Sequence, residues 1–159
     1  MSQTLTAVGN YAQEVGTKVV CLRKNESIVE VTQDTLKTFV SHLVNDVHVR
    51  HLMTITGLDL GQNLGITYEF SLERDTIHVR TLVPKAKPVA ISIVDTVPGA
   101  ILYEMELHDM FGIEFVGNPW KDMKLLLPED WPNDLPPPLL KSSKADQIRQ
   151  RLGLETAKK

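Results

Sequence analysis

Three apolar-rich segments, residues 51–59, 64–72 and 76–83, follow one another with only Gly61-Gln-Asn63 and Glu73-Arg-Asp75 as turns between them. In the middle segment Ile66, Tyr68, Phe70 and Leu72 alternate with Thr67, Glu69 and Ser71. That period of two belongs to a strand with one buried and one polar face. Connections this short join strands antiparallel, because a parallel pair needs a crossover of about a dozen residues or more. The block therefore predicts an antiparallel meander whose apolar face must be covered by something else in the chain.

Helices supply the cover. Leu36, Phe39, Val40, Leu43, Val44 and Val47 recur at three and four residues and make one continuous apolar stripe behind a capping Thr32. Leu5, Val8, Tyr11, Ala12 and Val15 predict a shorter amphipathic helix over 4–16, ended by Gly16. Residues 18–22 and 28–31 read as two short strands around a polar turn at 23–27. The fold class expected is α+β, an antiparallel or mixed sheet with helices packed on one face. Pro84-Lys-Ala-Lys-Pro88 is a stiff connector, and 90–97 reads equally as a strand or as a first helical stretch. Asp95 or Thr96 can cap a helix there, with Pro98 tolerated in its first turn.

The passage Tyr103-Glu-Met-Glu-Leu-His-Asp-Met-Phe-Gly-Ile-Glu-Phe-Val-Gly-Asn-Pro119 is the richest in chemistry. A helix should run to Gly112, where a C′ position favours the residue that takes positive φ freely. Ile101, Leu102, Met105 and Phe111 are expected to face the core, with Glu106 and Asp109 on one face and Glu104 paired with His108 on another. A strand over 113–116 follows, and Gly117-Asn118-Pro119 closes it. Three carboxylates within six residues have three readings: acid/base catalysts, which need a pocket and a tuned pKa; a solvated helix face; or a polar contact with another protein.

From Pro128 the pattern changes. Pro132, Pro136, Pro137 and Pro138, with Trp131 and Leu139-Leu140, predict an extended arm over 128–159 appended to an α+β domain over 1–127, with a last short helix at 143–152 and a frayed Lys158-Lys159 end. Tryptophan and paired leucines suit an arm docked on a partner better than a solvated tail.

A formal charge of −3 and a pI near 5.9 provide no basic footprint for nucleic acid. The single Cys21 cannot hold an iron–sulfur cluster and reads as a small buried hydrophobe. No Gly-x-Gly-x-x-Gly or Walker-type loop occurs, and His48-x-x-His51 lacks further ligands nearby. No cofactor is expected in this chain. No apolar run approaches the roughly 20 residues of a membrane span, and the start lacks a signal-peptide pattern, so a cytoplasmic chain that meets the membrane through partners is expected.

The run Glu104-x-Glu106-x-x-Asp109-Met110-Phe111-Gly112-Ile113-x-Phe115-x-Gly117-Asn118-Pro119 resembles the signature of the thirty-kilodalton subunit family of respiratory complex I, shared by related membrane-bound hydrogenases. Met105 stands where that family usually has arginine and Asn118 where it usually has histidine, which removes any contact made by a guanidinium fork. The segment Leu125-Leu-Leu-Pro-Glu-Asp-Trp131 is more similar to the energy-converting hydrogenase relatives than to quinone reductases. The resemblance implies a non-catalytic structural and assembly subunit in the peripheral arm of a membrane-bound, ion-translocating oxidoreductase. It implies docking on a hydrogenase-like large subunit beside a small iron–sulfur subunit, with iron–sulfur clusters, and in hydrogenases nickel–iron, carried by those partners. Glu104, Glu106 and Asp109 would bond basic groups of the large subunit. Phe111, Gly112, Phe115, Gly117 and Pro119 would shape the contact, with Trp131 as an anchor on the arm.

Overall fold

The computed structural model describes residues 3–154, with side chains described throughout except at positions 3, 18 and 20–23. The Cys21 thiol and the Lys158-Lys159 end thus lie outside the described set. The meander forms as expected: β3 (His51–Asp59), β4 (Asn63–Leu72) and β5 (Asp75–Pro84) pair antiparallel in sequence. An N-terminal hairpin of β1 (Lys18–Arg23) and β2 (Glu26–Glu30) adds to the other side, with β2 parallel to β5, giving the order β1-β2-β5-β4-β3. The sheet is therefore mixed. The hairpin turn is tighter than the sequence suggested, because pairing continues to Arg23 and Glu26 and leaves two residues to turn.

The parallel pairing requires a crossover, and α2 (Gln33–Asn45) supplies it. Its start is fixed by a reciprocal cap in which Thr32 accepts from the Thr35 amide and Thr35 Oγ1 accepts from the Thr32 amide. Leu36, Phe39, Val40 and Leu43 are buried under it, each side chain contributing about 1.5–3 kcal/mol of burial. Val44 and Val47 are only partly buried, and Val47 lies past the helix end. With Leu5, Val8 and Ala12 of α1 (Gln3–Glu14), these residues pack on Leu64, Ile66, Tyr68 and Phe70 of β4 in one core. Thr56, Thr67, Glu69, His78 and Arg80 line the opposite, open face.

The ambiguous stretch resolves into a short strand, β6 (Val89–Ile91), and then a single 3-10 turn at Pro98–Ala100 that leads into α3 (Ile101–Phe111). Neither expected cap is used, since Val97 occupies that position without a side-chain bond. Asp95 instead pairs with Lys37 of α2, and Thr96 lies 3.4 Å from Ser41. Gly112 ends α3 with φ of 73°, and β7 (Glu114–Val116) returns parallel to β6. Leu102, expected in the core, is half exposed, whereas Leu107 takes the core position. At 100° per residue Leu107 and Phe111 share the face that meets β3. Gly57 admits them: a Cβ there would lie 2.6 Å from Phe111 and 2.8 Å from Leu107.

Residues 128–144 run without helix or strand before α4 (Ala145–Arg151). They cross back over their own domain. The Leu139 amide donates to Met110 O at 3.0 Å, the Lys141 amide donates to Asp59 Oδ2 at 2.9 Å, and Pro137 packs over Gly112. Asp59 also accepts from Lys85 Nζ at 2.6 Å and from the Gly61 amide at 2.8 Å. The hydrogen bond from Lys85 leads the causes that hold its carboxyl down at about 2.

Candidate functional site

The three carboxylates of α3 have three different fates. Glu104 is fully buried. Its Oε1 accepts from the Ile93 amide at 2.9 Å, and its Oε2 accepts from Ser92 Oγ at 2.8 Å and Asn118 Nδ2 at 3.0 Å. Burial pushes its pKa up, against the pull of these three donors. Asn118 completes a three-way junction, donating also to Ile101 O and accepting from the Trp120 amide at 2.9 Å. Glu104 thus ties α3 to the β6 end and to the turn after β7. The buried Tyr68 hydroxyl has no hydrogen-bond partner among the described residues, and burial followed by the charge of Glu104 pushes it well up.

Asp109 is 1% exposed, and one of its oxygens gathers three consecutive main-chain donors: the amides of Leu125, Leu126 and Leu127 at 2.8, 2.7 and 3.1 Å. Its other oxygen has no hydrogen bond from a described residue, with Lys124 Nζ 3.9 Å away as an ion pair. A buried carboxylate needs such partners, because leaving the charge unmatched costs several kcal/mol. Glu106 alone of the three is exposed, and it forms no bond or ion pair with a described residue.

The expected pairing of faces is therefore corrected. Glu104 does not meet His108, whose Nδ1 donates to Ile113 O at 3.0 Å and so closes the helix end. Glu106 and Asp109 do not act together, because Asp109 is turned inward onto residues 125–127. Intersubunit bonds expected from Glu104 and Asp109 are replaced by bonds within the chain. Phe111 and Phe115 are core residues rather than surface ones, and Gly112 sits beneath Pro137. Gly117, with φ of 102°, and Pro119 are exposed, and Trp131 is half-buried. Sequence reasoning missed Ser92, the role of Asn118, and the exposed Trp120, Met123, Leu125 and Leu126. The Asn-Pro turn signal pointed toward Asn118, and Leu125 and Leu126 were visible only within the segment similar to the hydrogenase relatives. Among the described residues, no cluster of three or more His, Cys, Asp or Glu could hold a metal.

With both buried carboxylates committed inside the fold, the arrangement does mechanical work: it fastens residues 118–127 along α3 from its first turn to its last. Other proteins share this framework. The chain is 32% identical over 117 residues to an NADH-quinone oxidoreductase subunit of Acidothermus cellulolyticus, covering 69% of this chain and 60% of that one. It is 38% identical over 81 residues to formate hydrogenlyase subunit 5 of Escherichia coli, covering 49% of this chain but 14% of that one. It therefore spans less than two thirds of the length of either relative. A chain of the membrane-bound sulfane sulfur reductase, an archaeal respiratory membrane complex, shares the fold with a TM-score of 0.81 and 19% identity, over 99% of this chain and 96% of that one. The family described as "Respiratory-chain NADH dehydrogenase, 30 Kd subunit" matches residues 29–148, so this chain belongs to the thirty-kilodalton subunit family of that enzyme and its relatives.

Proposed function

We propose that the chain is a non-catalytic structural and assembly subunit in the peripheral arm of a membrane-bound, ion-translocating oxidoreductase, of the energy-converting hydrogenase or sulfur-reducing kind. The observation that carries this reading is the inward commitment of Glu104 and Asp109. Acid/base work requires a carboxyl that faces a substrate, and these two are spent on six donors inside the fold. They build a scaffold, and Glu106 remains to meet a basic group across a contact.

The hydrogenase or sulfur-reducing branch is supported by the 38% identity to formate hydrogenlyase subunit 5 and by the full-length fold match to the sulfane sulfur reductase chain. A second reading, the equivalent subunit of a quinone-reducing complex, is supported by the relative from NADH-quinone oxidoreductase. In either case the partners are a hydrogenase-like large subunit and a small iron–sulfur subunit, which hold the clusters and, in a hydrogenase, the nickel–iron centre. No helix among the described residues is long and apolar enough to cross a membrane. We place the chain on the cytoplasmic face, attached through those partners, with Gly117, Pro119 and Trp131 near the contact.

Deleting the chain in its host tests the assembly role. The large subunit should leave the membrane fraction and return when the chain is re-expressed. A complex that assembles and turns over fully without it would refute the proposal.

A further inference from the structure

Residues 118–127 are tied down at both ends by groups within the chain. Asn118 fixes the start to Glu104 and to Ile101 O, and Asp109 fixes the end through three amides. The result is an ordered loop whose polar main chain is turned inward and whose large side chains are turned out. Trp120, Met123, Leu125 and Leu126 are 45, 56, 39 and 56% exposed. Beside the loop, the exposed Leu102 and Glu106 stand one turn apart on α3, in the row that leads to Asp109. Ordering a loop so that four large apolar groups face water adds nothing to the stability of this chain alone, and such a patch rimmed by charge marks a contact.

We infer that the loop 118–127, with Leu102 and Glu106, is the docking face for the large subunit of the complex. The inference rests on the proposed function and refines it to a surface. The occupant is argued from the relatives' chain lengths. In formate hydrogenlyase subunit 5 the matching segment is only 14% of the chain, so there a similar segment is covalently joined to a much larger remainder. A chain of the sulfane sulfur reductase complex is instead matched over 96% of its own length, so in that complex the fold is held to its neighbours by surface alone. The surface required opposite is an apolar recess that receives Trp120 and Leu126, with a guanidinium or ammonium group facing Glu106.

A second apolar group, Leu58, Leu60 and Leu82, lies on the open sheet face and is 59, 50 and 48% exposed. It sits among Thr67, Glu69, His78 and Arg80. It lies on the sheet face opposite the one that Gly57 turns toward α3, away from the loop 118–127, which makes it the internal control.

The test uses the tagged full chain in its native cells, purified in mild detergent, with the large subunit quantified per tagged chain by mass spectrometry. Met123→Glu combined with Leu126→Glu, and separately Trp120→Ala, should each lower that ratio about tenfold or more. Leu58→Glu should leave it unchanged. All these positions are exposed, so the purified variants should melt with the wild type, which separates lost docking from lost folding. A wild-type ratio in the loop variants, or an equal loss in Leu58→Glu, overturns the inference while leaving the proposed function standing. A wild-type chain that brings down no large subunit overturns both. Self-association of the purified chain, or its binding to lipid vesicles, that the loop variants abolish would assign the face to a second copy or to the membrane and overturn the inference as well.

Discussion

Replacing Asp109 by alanine isolates the device that presents the loop. The substitution removes an acceptor shared by the amides of Leu125, Leu126 and Leu127 at 2.8, 2.7 and 3.1 Å. Hydrogen bonds to a charged group contribute about 1.5–3 kcal/mol each when independent. These three converge on one oxygen and are only partly shielded, so water recovers some of the donors, and the net loss should be about 2–4 kcal/mol. A domain of this size shifts by about 2–4 °C per kcal/mol, so the melting temperature should fall by about 5–15 °C. Asp109→Asn keeps a carbonyl oxygen in place without the charge and should lose about half as much. Thermal unfolding followed by circular dichroism measures the shift. Amide hydrogen exchange at residues 125–127 reads the local effect, which should be loss of protection in the alanine variant. A melting temperature within about 1 °C of wild type, with exchange at those amides unchanged, would refute the account of the loop.

Other substitutions probe the frame around it. Gly57→Ala places a Cβ 2.6 Å from Phe111 and 2.8 Å from Leu107, and overpacking of this kind should cost about 1–3 kcal/mol, read as a lower urea midpoint. Asp59, lowered from 3.8 to about 2, contributes stability that is present above its unfolded value and lost as pH falls through the folded one. Asp59→Asn should therefore flatten the stability profile between about pH 4 and pH 2, and an unchanged acid slope contradicts the bond from Lys85 that leads the shift. Glu104 is raised, so its contribution has the opposite sign, complete below the ordinary carboxyl value and lost as pH rises through the folded pKa. Glu104→Gln should abolish that loss on the neutral side. It should also lower stability overall, since an amide nitrogen would face a donor, and denaturation midpoints across pH separate the two effects.

What the sequence made legible was local. Alternation over 64–72 placed the core face of β4 correctly, Thr32 marked a helix start, and Gly112 marked a helix end, because each depends on residues within a turn of one another. The meander followed from turns too short for any other connection. The parallel pairing of β2 with β5 did not, since it joins residues about fifty apart and shows no pattern in either strand. At the site the acids were visible but their directions were not. Glu104 is claimed by Ser92, Ile93 and Asn118 from other elements, and Asp109 by main-chain amides, which carry no side-chain identity to read. Phe115 looked like a contact residue within the signature and proved to be core, whereas Phe111 lies in the core as its helical spacing indicated, not at the contact the signature suggested. The contact side chains, Trp120 and Met123, fall in a stretch whose spacing has no regular period. Their outward orientation follows only from the two carboxylates that pin the loop.

The most direct test of the central claim is affinity purification of the tagged chain from its own cells in mild detergent, with partners identified by mass spectrometry and nickel measured in the eluate. The scaffold account predicts a hydrogenase-like large subunit, a small cluster-bearing subunit and membrane proteins in fixed ratio to this chain, with nickel separating a hydrogenase from its nickel-free relatives. A chain that elutes alone, folded and monomeric, would contradict it.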